Sequence, residues 1–113
     1  MADPDSMLHK DELRREVRAR RKSITPDQRD ELDGIINRTL LDFSVQSAIG
    51  SLSAFWPFDG EPDLRPAMKA LHDRGVTITL PVLNSVSGIM LHRWQPETVM
   101  TTSSFGIAEP LGE

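Results

Sequence analysis

The sequence predicts an α/β domain, a three-layer α/β/α arrangement with a partly parallel sheet and two N-terminal helices packed on it. Three observations predict it. Roughly the first forty residues repeat apolar side chains at helical spacing. A strand, a helix and a strand then follow in that order, which implies a right-handed parallel unit. A short turn and a third strand come next, best placed antiparallel to the second. At 113 residues the chain has room for one domain with a modest core. Residues 1–7 are expected to be disordered, with a single α/β domain over 8–113.

The elements can be justified in order. From about Leu8 to Ser23 the chain reads as a helix whose apolar stripe is Leu13, Val17 and Ile24. Thr25-Pro26-Asp27-Gln28 restarts a helix: Thr25 caps, Pro26 suits the first turn, Asp27 suits the positive end of the dipole, and Gln28 closes a capping box. Leu32, Ile35, Ile36 and Leu40 are the expected buried face of this second helix, which runs to about Asp42. Ala48 to Trp56 suits a buried strand. After the loop PFDGEP, the stretch DLRPAMKALHDRG predicts a helix with Leu64, Ala67, Met68 and Leu71 inward and Gly75 as its stop. Val76 to Val82 is a β-branched strand, Asn84 to Gly88 a turn, and Ile89 to Trp94 the third strand. In the last segment, FGIAEPLGE, Phe105 is expected to anchor a loop. A sheet of two or three strands with exposed edges reads as one portion of a larger domain, so the chain is expected to be truncated.

Composition excludes several classes. With no cysteine there are no disulfides, thiolate metal sites or cysteine nucleophiles. No apolar run approaches the roughly eighteen residues that would suggest a membrane span, and MADPDSM has no apolar core to act as a secretory signal. A cytoplasmic setting, with no membrane partner, is therefore expected. The net charge of −4 argues against a general nucleic-acid binder. Yet seven of the thirteen Lys and Arg residues lie between Lys10 and Lys22. At about 100° per residue, Lys10, Arg14, Arg18 and Arg21 share a sector of about 80° beside Leu13 and Val17. Such a rim of cations suits a polyanion such as a nucleotide triphosphate. The competing reading is a solvated face balanced by Asp11, Glu12 and Glu16.

Other chemistry is sparse. His9, His72 and His92 are isolated and suggest no metal site, and the common phosphate-loop, dinucleotide and nucleophile motifs are missing. Glu61 sits in a loop just past a strand end, where open α/β sheets bind ligands, or is simply a solvated carboxylate. Trp56, at the end of the same strand, is a core residue or a ligand wall. No residue can be assigned as catalytic from these patterns.

The order of several segments carries a resemblance. Lys10, Leu13, Arg14, Arg18 and Arg20 at the start, FWPFDGEPD with Glu61, RGVTITLPV, and the closing FGIAEP resemble the 5-formyltetrahydrofolate cyclo-ligase family, from about His9 to Pro110. The resemblance implies an ATP-dependent, Mg²⁺-assisted ring closure of 5-formyltetrahydrofolate to 5,10-methenyltetrahydrofolate, with ADP and phosphate released. Carried over by position, Lys10 and Arg14 would contact the ATP phosphates, and Trp56 and Glu61 would lie against the folate. Members of the family continue into a second half containing a glycine-rich basic loop of the G-K-G-Y-Y-D kind, which has no match here. The chain is thus expected to be the N-terminal portion of a cyclo-ligase-like domain, with a complementing C-terminal fragment as a candidate partner. The alternative to the enzyme is a non-catalytic interaction module, in which exposed sheet edges and the basic helix bind a partner chain or an anionic ligand.

Overall fold

The computed structural model describes residues 4–84 and 88–111. Helices α1 (Pro4–Ser23), α2 (Pro26–Gln46) and α3 (Arg65–Asp73) accompany strands β1 (Ser51–Ser53), β2 (Thr77–Asn84), β3 (Gly88–Trp94), β4 (Met100–Thr102) and β5 (Ala108–Pro110). Strands β1, β2 and β3 form one sheet in that order; β1 runs parallel to β2, and β3 antiparallel to it. The α/β class and the partly parallel sheet are as the sequence predicts. The expected turn between the second and third strands falls partly on residues 85–87, outside the described residues.

The capping box forms as expected: Gln28 N–H donates to Thr25 Oγ1 at 3.2 Å, and Thr25 N–H donates to Gln28 Oε1 at 3.1 Å. At the other end of α2 the helix runs past the expected Asp42 to Gln46. Ala48 then takes a left-handed φ of 52° while Ile49 N–H reaches back to Ser44 O. That turn uses the residues expected to begin the first strand. Pairing with β2 therefore extends only from Gly50 O, which accepts from Thr77 N–H, to Ala54 N–H, which donates to Thr79 O. Phe55 and Trp56 lie beyond the strand. Helix α1, in turn, begins at Pro4 rather than near Leu8.

The core lies between α3 and one face of the sheet. Leu64, Met68 and Leu71 meet Ile78 and Leu80 of β2 and Trp94 of β3, which pairs with Ile78 in register. The inward face predicted for α3 is therefore correct, and Gly75, at φ +89°, allows the chain to leave the helix.

Helix α2 departs from its hydropathy pattern. Leu32 and Ile35 are 45% and 49% exposed and Ile36 is exposed too, whereas Leu40 and Leu41 are half-buried against the core. The buried positions of α2 are Asn37 and Ser44. Hydrogen bonding selects this face: Asn37 Nδ2 donates to Asp63 O at 2.6 Å and to Asp33 O at 2.7 Å, while Asn37 Oδ1 accepts from Ala67 N–H at 2.9 Å. One buried amide thus satisfies a free donor in the first turn of α3 and fixes the helix against α2.

Strands β4 and β5 form an unexpected hairpin that packs on β2 and β3. Its tip is closed by Ser103 N–H donating to Ile107 O at 2.8 Å. Phe105, expected as an anchor, is 67% exposed at that tip. Anchoring falls instead to Pro110, which is buried. Among the described residues, no helix is long and apolar enough to cross a membrane.

Candidate functional site

The loop that links β1 to α3 leaves the sheet at the C-terminal end of β1, where parallel strands direct their loops toward ligands. Within it, Phe58-Asp59-Gly60-Glu61 closes a tight turn. Glu61 N–H donates to Phe58 O at 3.1 Å, with Asp59 at φ 51° and Gly60 at φ 80°. Two consecutive positive φ values define a type I′ turn, for which Asp-Gly is a favoured pair. The Glu61 carboxylate folds back onto the same turn, where Oε1 accepts from Phe58 N–H at 3.1 Å. This bond orients the carboxylate and leaves further lone pairs for other donors.

Helix α1 meets this turn by its C-terminal half. Arg18 Nε lies 3.6 Å from Asp59 Oδ2. Arg29, in the first turns of α2, donates from Nη1 to Gly60 O and from Nη2 to Arg21 O, both at 2.8 Å. Arg21 and Gly60 approach so closely that a Cβ on Gly60 would sit 3.1 Å from Arg21 Cβ.

Of the expected basic stripe, Arg14, Arg18 and Arg21 line one shallow depression along α1 with Leu13 and Val17, and Lys10 does not. Leu13 and Val17 remain exposed there. Only Arg18 and Arg21 reach the turn. Arg14 lies one helical turn further out, about 6 Å along the axis, beside Asp11 at 3.9 Å, and Lys10 about 12 Å out.

Trp56 and Glu61 both belong to the loop but stand in different surroundings. The Arg65 guanidinium carbon lies 5.2 Å from the centroid of a Trp56 ring, and Trp94 approaches the same side chain at 6.5 Å, tilted by 59°. Arg65 is held there by a two-pronged pair with Asp63, Nε to Oδ1 and Nη2 to Oδ2, each at 2.8 Å. The hydrogen bond from Arg65 holds the Asp63 carboxyl below its ordinary pKa, and the same bond raises that of Arg65. Glu61 instead faces an open concavity of about 450 Å³ shared with Arg29, Asp30, Asp33, Phe58 and Arg65. A separate concavity of about 310 Å³, with His72, Ile78, Arg93 and Thr98 in its walls, lies at the far end of the sheet. None of Lys10, Arg14, Trp56 or Glu61 lines it.

A family model described as the 5-formyltetrahydrofolate cyclo-ligase family matches residues 6–113. The chain belongs to this family. Among curated proteins, none matches the chain. Family membership supports a cyclo-ligase-like function in folate metabolism at the level of the family. Among the described residues, no three His, Asp or Glu side chains converge to hold a metal ion, so these residues offer no preformed magnesium cage.

The sequence reading overlooked Arg29, Asn37 and Arg65. The Asp-Gly turn and the adjacent Asp63 and Arg65 were visible signals. Arg29 left none, because its two acceptors are backbone carbonyls 8 and 31 residues away.

Proposed function

We propose that the chain is the N-terminal portion of an enzyme that uses ATP to close 5-formyltetrahydrofolate to 5,10-methenyltetrahydrofolate, releasing ADP and phosphate. The observation that carries this reading is the junction of two oppositely charged surfaces. The cationic stripe of α1 abuts a concavity in which Asp30, Asp33 and Glu61 outnumber Arg29 and Arg65, and the two meet at the Arg18–Asp59 pair. One side suits phosphates and the other suits a ring edge rich in N–H donors.

In this proposal Lys10 and Arg14 contact the ATP phosphates. Glu61 accepts a pair of hydrogen bonds from the pterin edge, its carboxylate already oriented by Phe58 N–H. Trp56 offers the folate the part of its ring that Arg65 leaves open. The formyl oxygen attacks the terminal phosphorus and ADP departs. N10 then attacks the activated formyl carbon, its proton is lost, and phosphate leaves with the former formyl oxygen. The side chains contribute alignment and charge rather than covalent bonds. Magnesium enters as part of the MgATP substrate, and no step is assigned to a metal held by the chain. A cytoplasmic setting, with no nucleic-acid or membrane partner, belongs to the same proposal.

The test is the near-ultraviolet absorbance of methenyltetrahydrofolate when the purified chain meets 5-formyltetrahydrofolate, ATP and Mg²⁺. Product that disappears in Glu61→Ala supports the site, with Arg14→Ala mainly weakening ATP use. Normal kinetics in both variants would remove the assignment of these residues.

One observation favours the interaction-module reading. Leu83, Ile89 and Leu91 are exposed, and the β2–β3 register puts them on the sheet face opposite Ile78 and Leu80. The occupant we propose for that face is a complementing C-terminal segment. A chain that binds folate tightly as a stable monomer would count against this second reading.

A further inference from the structure

We infer that Arg29 is a positioning residue that couples the phosphate-binding stripe to the pterin-binding turn, a role that rests on the functional reading above. Among the described residues, helix α1 has few other attachments. Its residues from His9 to Arg20 are all exposed, so burial does little to fix its direction. What holds it is polar: the Arg18–Asp59 pair at 3.6 Å, longer than a direct hydrogen bond, and the two 2.8 Å bonds from Arg29.

Those two bonds link the parts that a two-substrate reaction must align. Arg21 O belongs to the last turn of α1, where carbonyls carry partial negative charge; it accepts a long 3.4 Å bond from Ile24 N–H and the shorter 2.8 Å bond from Arg29 Nη2. Gly60 O belongs to the residue next to Glu61 in the turn, and Arg29 Nη1 satisfies that. A planar guanidinium can donate in two fixed directions at once, which an ammonium cannot reproduce. Arg29 therefore sets the separation between the cations of α1 and the Glu61 carboxylate, and Gly60 leaves room for Arg21 to seat closely. When one ligand draws either surface into place, the other surface comes with it. The expected result is reciprocal tightening of the two ligands, typically about 5- to 150-fold for coupled sites.

The experiment has two readouts on the full chain. The sequence holds no cysteine, so Arg15→Cys and Lys69→Cys, both exposed, place spin labels on α1 and α3 without removing any native thiol. The parent is expected to give one narrow distance, Arg29→Ala a broad distribution and Arg29→Lys an intermediate one, with the near-ultraviolet signal of Trp56 and Trp94 unchanged. A narrow, unshifted distance in a folded Arg29→Ala overturns the inference. The second readout is 5-formyltetrahydrofolate affinity with and without a magnesium-bound, non-hydrolysable ATP analogue. Coupling in the parent that falls to about 1-fold in Arg29→Ala, measured as the ratio of the two affinities so that any loss in either single affinity cancels, supports the role. A parent that binds both ligands with no mutual effect overturns the coupling alone, and a parent that binds neither overturns the functional reading with it.

Discussion

In α3 the residues Ala67, Met68 and Leu71 are buried against the sheet, whereas α1 is exposed at every residue from His9 to Arg20. The first region is held by apolar contact, the second, among the described residues, by the two Arg29 hydrogen bonds and the Arg18–Asp59 pair. Under the proposed function, this difference separates stability from function in the same short chain. Apolar burial is non-directional and tolerates small adjustments, so it suits a scaffold. Hydrogen bonds are directional, so they suit the junction that the proposed function requires between two ligand surfaces. The loop from Trp56 to Asp63 lies between the two regions and is tied to both.

The comparison breaks most sharply at Met68, which is fully buried between α3 and β2. Met68→Ala should destabilise the chain by about 2–5 kcal/mol, read from denaturant midpoints. A cost under about 1 kcal/mol would mean that the apolar contacts do not carry the fold. Asn37→Ala comes next. It leaves Asp63 O and Ala67 N–H without their partner and should cost about 2–3 kcal/mol. Unlike Met68→Ala, it should also speed hydrogen exchange selectively at the start of α3. Uniform acceleration across the chain would show that Asn37 is only another core residue.

The same contrast explains what could be read in advance. The α3 face and the β2–β3 pairing were legible because periodicity and β-branching report burial directly. The capping box was legible because both partners lie within four residues. The buried face of α2 was misread because hydropathy favours Leu32 and Ile35, while the structure buries Asn37 for its hydrogen bonds to residues 26 and 30 positions away. The first strand was overextended because Ala48 adopts a positive φ that its residue type does not announce. In the candidate site, the loop position of Glu61 and the helical spacing of the α1 arginines were readable. Arg29 was not, because carbonyl acceptors have no sequence signature.

Ser44 sharpens the comparison from the stabilising side. It is 2% exposed and its hydroxyl has no hydrogen-bond partner among the described residues. An unpaired buried hydroxyl is costly, so Ser44→Ala should raise stability by about 1 kcal/mol without altering ligand affinity. A loss of stability would reveal a partner for the hydroxyl, such as an ordered water.

The smallest expected effect belongs to Asp63 and Arg65, a pair between the two regions and partly open to solvent. The Arg65 hydrogen bond lowers the Asp63 pKa from 3.8, so Asp63 binds its proton less readily in the folded chain than in the unfolded one. Its contribution is complete above about pH 4, the unfolded value, and is lost as pH falls through the lower folded value. The contribution of the raised Arg65 pKa is complete below the ordinary arginine range and is lost only at higher pH, so it gives no slope near neutrality. Asp63→Asn should therefore cost under about 1 kcal/mol at pH 6, as solvent-exposed pairs do, and the gap from the parent should shrink as pH falls toward 2. A gap that stays constant to pH 2 would assign the effect to packing rather than to charge. Because so little stability is at stake, the pair's main consequence is directional: it keeps the Arg65 guanidinium over Trp56, at the wall of the concavity that contains Glu61. In Asp63→Asn the change in folate affinity should thus exceed the change in stability, the pattern expected where polar bonds serve the site and apolar contacts serve the fold.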